Sequence, residues 1–140
     1  MDIKLSDQHI KEIAQDLEKG LTCHIHCKTG KIISFPEVDL ADFGEEDQWF
    51  EDRREVEENW VDYLVILPPS PKEVLEMIRQ FLESVDAGGY RNSLLQSLEM
   101  AHPFREFKKS LHDFPTLRKE WFRYKDEKYR NWIRLRLDES

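Results

Sequence analysis

Along the first part of the chain the spacing of hydrophobic positions changes twice. Ile10, Ile13, Ala14 and Leu17 recur at the i, i+3, i+4 and i+7 positions of one helical face, with Ser6 available as N-cap and Gly20 just past the end. The period then drops to two. Cys23, Ile25 and Cys27 fall on one side of an extended segment and Thr22, His24 and His26 on the other. Lys28-Thr29-Gly30-Lys31 interrupts the alternation and Ile32 to Phe35 resumes it, so a hairpin is expected, with glycine supplying the positive φ of a tight turn. A continuous apolar run, Tyr63 to Leu67, closed by Pro68-Pro69, predicts a buried third strand.

From there on the period is helical. Ser70-Pro71-Lys72-Glu73 combines an N-cap, a proline at the first helical position and a glutamate at the capping-box position. Val74, Leu75, Ile78, Phe81, Leu82 and Val85 fill one face of the helix that follows, and Gly88-Gly89 lets the chain leave it. Leu94, Leu95 and Leu98 predict a short helix through Met100. Phe104, Phe107 and Leu111 predict another after His102-Pro103, ended by Asp113-Phe114-Pro115. The last helix, from near Pro115, places Leu117, Trp121, Tyr124, Trp132 and Leu135 on one arc and Phe122, Tyr129 and Ile133 on an adjoining one. That arc is too wide for a lone surface helix, so the helix is expected to be clamped between the sheet and the preceding helices, or between two subunits.

These elements predict an α+β fold, a small antiparallel sheet packed with a helical C-terminal half. At 140 residues the chain fits one domain, with a sheet region over 21–68 and a helical region over 70–137. Within the sheet region lies an acidic insert, 37–62. Trp49, Val56 and Trp60 are spaced by seven and four and would share one face of a helix there; an acidic loop that orders only in part is the alternative.

Composition narrows the class. Hydrophobic residues make up 39% and charged residues 36%, with 16 Phe, Trp and Tyr, which implies a small aromatic core under a charged surface. No window approaches the roughly 20 apolar residues of a membrane helix, and the first residues lack the apolar stretch of a secretory signal, so a cytoplasmic protein is expected. Cys23 and Cys27, four apart along a strand, are expected to be reduced. The net charge of -8 is segregated: Glu37 to Asp62 carries twelve acidic and two basic residues, His102 to Arg136 eleven basic and five acidic. Such asymmetry suits a polyanion partner, or two blocks that face each other within the fold.

Candidate chemistry is sparse. His24 and His26 share a strand face, but Cys23 and Cys27 point to the other, so Cys-His-Ile-His-Cys cannot wrap one ion while it stays a regular strand. No metal and no cofactor is expected. A Cys-His hydrolase would need His102 or His112 beside the hairpin, and no residue pattern brings them there. Phosphate-binding glycine loops and a Gly-x-Ser-x-Gly turn are absent. The expectation is a non-enzymatic protein. Two binding readings remain. Lys119, Arg123, Arg130 and Arg134 fall on one side of the last helix, and Arg105, Lys108 and Lys109 line the preceding one, a candidate basic face for RNA or single-stranded DNA. Solvated i, i+4 pairs, Arg123 with Glu127 and Asp126 with Arg130, read the same residues without a ligand. The first-ranked reading is a protein-interaction or regulatory module, anchored by Trp49 and Trp60, that meets a protein partner or a second copy of itself, with no membrane.

Several segments together carry a resemblance. They are Leu-Pro-Pro-Ser-Pro-Lys-Glu from Leu67, Phe-Leu-Glu-Ser-Val-Asp from Phe81, Leu-Leu-Gln-Ser-Leu-Glu from Leu94, Phe-Arg-Glu-Phe-Lys-Lys-Ser-Leu from Phe104, Phe-Pro-Thr-Leu-Arg-Lys-Glu-Trp-Phe from Phe114 and Arg-Asn-Trp-Ile from Arg130. In this order the chain resembles a family of small bacterial proteins, uncharacterised protein family zero-one-five-eight. The resemblance runs from Leu21 to Leu137, is most specific in Phe-Arg-x-Phe-Lys and the later Trp-Phe, and is weakest from Asp39 to Glu58. It implies a bacterial, cytoplasmic, compact α+β protein, and implies no activity, cofactor or catalytic residue.

Overall fold

A computed structural model describes residues 5–37, 48–85 and 90–139. In chain order the elements are α1 (Asp7–Glu18), β1 (Thr22–His26), β2 (Ile32–Phe35), α2 (Phe50–Glu58), a 3-10 turn (Trp60–Asp62), β3 (Tyr63–Ile66), α3 (Pro71–Ser84), α4 (Tyr90–Ser97), α5 (Pro103–Leu111) and α6 (Pro115–Asp138). The class is α+β. The chain packs as two compact units, the first made of residues 1–68 and 129–140, the second of 69–128.

In the first unit, α1 starts where Ser6 accepts the backbone N–H of His9, and the chain leaves it through Gly20 at φ 83°. The hairpin turn uses Gly30 at φ 75°. The three strands are antiparallel in the order β2-β1-β3, and β1 pairs with both neighbours, Cys23 with Ser34 and Ile66, His24 with Ile33 and Val65. Alternation then sorts the faces as its period requires. Cys23, Ile25, Leu64 and Ile66 are buried on one face, where the Cys23 thiol points at the Ile13 carbonyl of α1 (3.8 Å). On the other face Ile33, Phe35 and Tyr63 pack with Val56 of α2 and with Trp49.

The insert departs from its expected pattern in one respect. Its residues 38–47 lie outside the described residues; Phe50–Glu58 is helical, but Trp60 does not share a face with Trp49 and Val56. Asn59 stops the helix, with φ -125° and ψ 30° and its side-chain amide donating to the Glu55 carbonyl (3.0 Å). The chain then turns before Trp60, whose side chain is left 71% exposed.

In the second unit the Ser70 cap is closed in both directions: its hydroxyl accepts the Glu73 N–H (3.1 Å) and the Glu73 carboxylate accepts the Ser70 N–H (3.0 Å). Ile78, Phe81 and Leu82 of α3, Leu94 and Leu98, Phe107 and Leu111 of α5, and Trp121 of α6 form its core. The rings meet at angles that aromatic pairs favour, Phe107 edge-on to Trp121 at 5.5 Å and Phe81 tilted against Trp121 at 5.2 Å. Arg91 ties α4 back to α3 by donating to the carbonyls of Leu82 and Val85.

The width of the aromatic arc on α6 has a simple cause: the helix serves both units. Up to Lys128 it buries Trp121, with Leu117 and Tyr124 beside it; from Tyr129 it buries Tyr129 and Ile133 in the first unit. Among the described residues, no helix is long and apolar enough to cross a membrane.

Candidate functional site

The turn between α2 and β3 is built to hold an aromatic side chain in solvent. Glu55 is its fixed point. The Tyr63 hydroxyl donates to Glu55 Oε2 (2.7 Å), and the Asn59 amide donates to the same oxygen (3.1 Å). Burial, this bond and the neighbouring carboxylates push the Tyr63 phenol up to about 12, so it stays a donor. With both ends of the turn pinned, Trp60 and Val61 stand 71% and 68% exposed. Their surroundings are acidic: Glu57 and Glu58 precede them, Asp62 follows, and Arg54 is paired with Glu58 (2.9 Å). The whole unit has ten basic and nineteen acidic residues, 10 - 19 = -9, whereas the second has eleven and ten, 11 - 10 = +1. Trp49, the other anchor candidate, is half-buried against the sheet instead.

A second feature lies further along β3. Backbone groups of Asp62, Leu64 and Ile66 face β1 in the register observed, so those of Val65 and Leu67 face outward from an edge. The last turns of α6 occupy that edge. Trp132 Nε1 donates to the Leu67 carbonyl (2.9 Å) and Arg136 Nε to the Val65 carbonyl (3.0 Å). Between helix and strand is a groove of about 420 Å³ lined by Val65, Ile66, Leu67, Trp132, Leu135, Arg136 and Glu139. Leu67 and Leu135 on its walls are 52% and 64% exposed.

The basic candidates lie on α5 and α6. Arg105, Lys108, Lys109, Lys119 and Arg123 are exposed on α5 and α6 in the second unit; Arg130 and Arg134 belong to the first. Arg134 is exposed, while Arg130 is half-buried and 4.0 Å from Asp7. The structure adds a feature that the aromatic arc concealed. Phe122, assigned to packing by its spacing, is 45% exposed, with Arg118 at 5.2 Å and Lys125 at 5.0 Å from its ring. The signal was present in the sequence: cations four before and three after an aromatic residue lie over its ring on a helix.

The hairpin residues are occupied in the structure. His24 is buried, stacked on Phe35 at 4.5 Å, and its Nδ1 lies 3.1 Å from the Ile33 carbonyl, to which it donates. Burial lowers its basicity, against the effect of that bond. His26 Nδ1 accepts the N–H groups of Lys28 (3.1 Å) and Thr29 (3.2 Å) and so holds the turn. Cys23 is fully buried and its thiol is pushed up to about 11, chiefly by burial, which suits packing and not nucleophilic attack. Both cysteines are free thiols. His102 and His112 flank α5 in the second unit. Among the described residues no three His, Cys, Asp or Glu side chains are grouped to hold a metal ion.

Comparison with known proteins gives a consistent answer about kinship and none about chemistry. Residues 4–139 match the model of the Uncharacterised protein family (UPF0158). The chain is similar to UPF0158 protein PA5073 of Pseudomonas aeruginosa, 35% identical over 69 residues, which is 49% of this chain and 45% of that protein. The match thus spans less than half of the relative's length. No solved structure matches.

Proposed function

This chain belongs to the Uncharacterised protein family (UPF0158), and for it we propose a non-enzymatic role as a protein-interaction module that docks a cationic, partly apolar segment of a partner on Trp60 and Val61. The observation that carries the reading is the 71% exposure of Trp60 beside a 68% exposed Val61. Leaving an indole and an isopropyl group in water forgoes burial worth a few kcal/mol, on the order of 1.5–3 for each large apolar side chain. Here the turn is held rigid by Tyr63, Asn59 and Glu55, so a partner would not have to order it on binding. Tryptophan at such a position is the residue type that dominates interface energetics. The carboxylates of Glu57, Glu58 and Asp62 around it favour a lysine or arginine, which can also lie over the indole face.

A photoreactive amino acid placed at position 60 in cells, with exposed Gln15 as control site, tests this. A discrete cross-linked protein from position 60 alone, lost when Glu57 and Glu58 are both changed to Lys in a folded variant, supports the reading. Cross-linking no different from the control retires it.

The Phe122 cluster supports a second reading, single-stranded nucleic acid stacked on that ring between Arg118 and Lys125. Its test is fluorescence anisotropy of a labelled single-stranded RNA. Saturable binding that weakens steeply with salt and falls with F122A supports it, and absence of binding at low salt removes it.

A further inference from the structure

The groove between β3 and α6 is a different surface from the Trp60 turn, and its lining identifies its own occupant. Three observations bear on it. The first is that the edge is already capped: the outward carbonyls of Val65 and Leu67 accept from Arg136 Nε and Trp132 Nε1. An added strand would have to displace both side chains, so a cover held by side chains fits the groove better. The second is that the walls are apolar and open, with Leu67 52% and Leu135 64% exposed. The third is the charge pattern. Arg136, near the end of α6, and Glu139, in the turn just past it, both line the groove, and among the described residues neither has an ion-pair partner. Arg136 is half-buried with Nε committed to the Val65 carbonyl, so its remaining guanidinium N–H groups are held in place for an acceptor.

A ligand of one charge sign would satisfy one of these groups and repel the other. A surface carrying both signs beside exposed leucines is complementary to itself. We propose that the groove is a two-fold interface between copies of this chain, in which the C-terminal turns of α6 run antiparallel across the axis. Glu139 follows α6 directly and its N–H still bonds the Leu135 carbonyl (3.1 Å), so about 4.5 Å of helical rise separates it from Arg136. An axis passing between them sets Arg136 of each copy opposite Glu139 of the second copy, and Leu135 with Leu67 is covered on either side. Each contact is thereby made twice, as a closed two-fold pair requires.

The test is hydrodynamic and uses the full chain. Sedimentation equilibrium over a concentration series is run on the wild-type protein, on R136E, on E139R, and on an equimolar mixture of the two variants. The wild type is expected to approach twice the 16.9 kDa chain mass. Each reversal alone places like charges across the axis twice and is expected to weaken the dimer by at least roughly tenfold. The mixture is expected to recover it, because every cation again meets an anion. L135D, an exposed position, is expected to give a monomer with unchanged circular dichroism. A wild type that stays monomeric overturns the proposal. So does a dimer that survives E139R and L135D, or a mixture that fails to reassociate while both variants are folded. Should R136E fail to fold through loss of the Val65 bond, E139R and L135D alone decide, and a dimer unaffected by both overturns it.

Discussion

Trp121 and Trp132 stand on the same helix, about three turns apart and nearly on the same line along it, yet they do different work. Trp121 is 5% exposed and touches Phe81, Phe107 and Tyr124 in the core of the second unit. Trp132 is half-buried in the first unit and uses its indole N–H on the Leu67 carbonyl, closing the edge of a sheet. One is held by dispersion and burial and the other by a polar contact at a rim. The difference teaches that a position on an amphipathic arc says which way a side chain faces and nothing about what meets it there.

Breaking the buried side of this comparison has the largest expected effect. W121A removes the ring on which three aromatic neighbours converge, and a loss of about 3–5 kcal/mol is expected, read from urea midpoints. W132F keeps most of the packing and deletes one hydrogen bond, so about 1 kcal/mol is expected. Its clearer readout is faster amide exchange confined to the Leu64 to Leu67 stretch; uniform acceleration across the first unit would refute the edge-cap role. The two serine caps extend the comparison to both units. S70A is expected to cost about 1 kcal/mol. S6A is expected to cost about as much, because the bond lost is again the hydroxyl's to a backbone N–H, that of His9 at 3.2 Å against that of Glu73 at 3.1 Å.

The gentlest perturbation is pH. His24 sits buried with its folded basicity below the ordinary value near 6.5, mainly through burial. The unfolded chain therefore binds its proton first. The contribution of the neutral ring to stability is full above pH 6.5 and is lost as pH falls from there towards the depressed folded value. Urea midpoints measured between pH 8 and pH 5 should fall in the wild type and fall less in H24L; equal slopes would remove His24 as the cause.

Much of the frame was readable before any coordinates. Ser6 and Gly20 bracket α1, Gly30 turns the hairpin, Pro68-Pro69 stops the third strand, and Ser70-Pro71-Lys72-Glu73 starts α3, because caps, turns and breakers act within a few residues of themselves. The separation of Cys23 and Ile25 from His24 was readable for the same reason, since a strand alternates whatever packs on it. The site was legible only in part. The spacing of Trp49, Val56 and Trp60 predicted one shared helical face, but α2 ends before Trp60, at Asn59, whose side-chain amide is bonded to both the carbonyl and the carboxylate of Glu55. Phe122 carries its flanking cations in plain view, yet its place on a wide aromatic arc predicts packing, and only the fold leaves it 45% exposed.

Local patterning thus determined the elements, their order, and the charge segregation that separates an acidic stretch from a basic one. Tertiary structure decided which turns of α6 serve which unit, which tryptophan is core and which is edge cap, and that Arg136 meets the Val65 carbonyl 71 residues earlier. The physical reason is range. Capping, turn chemistry and periodicity are set by neighbours along the chain, whereas burial and the satisfaction of a sheet edge depend on which distant segment arrives there.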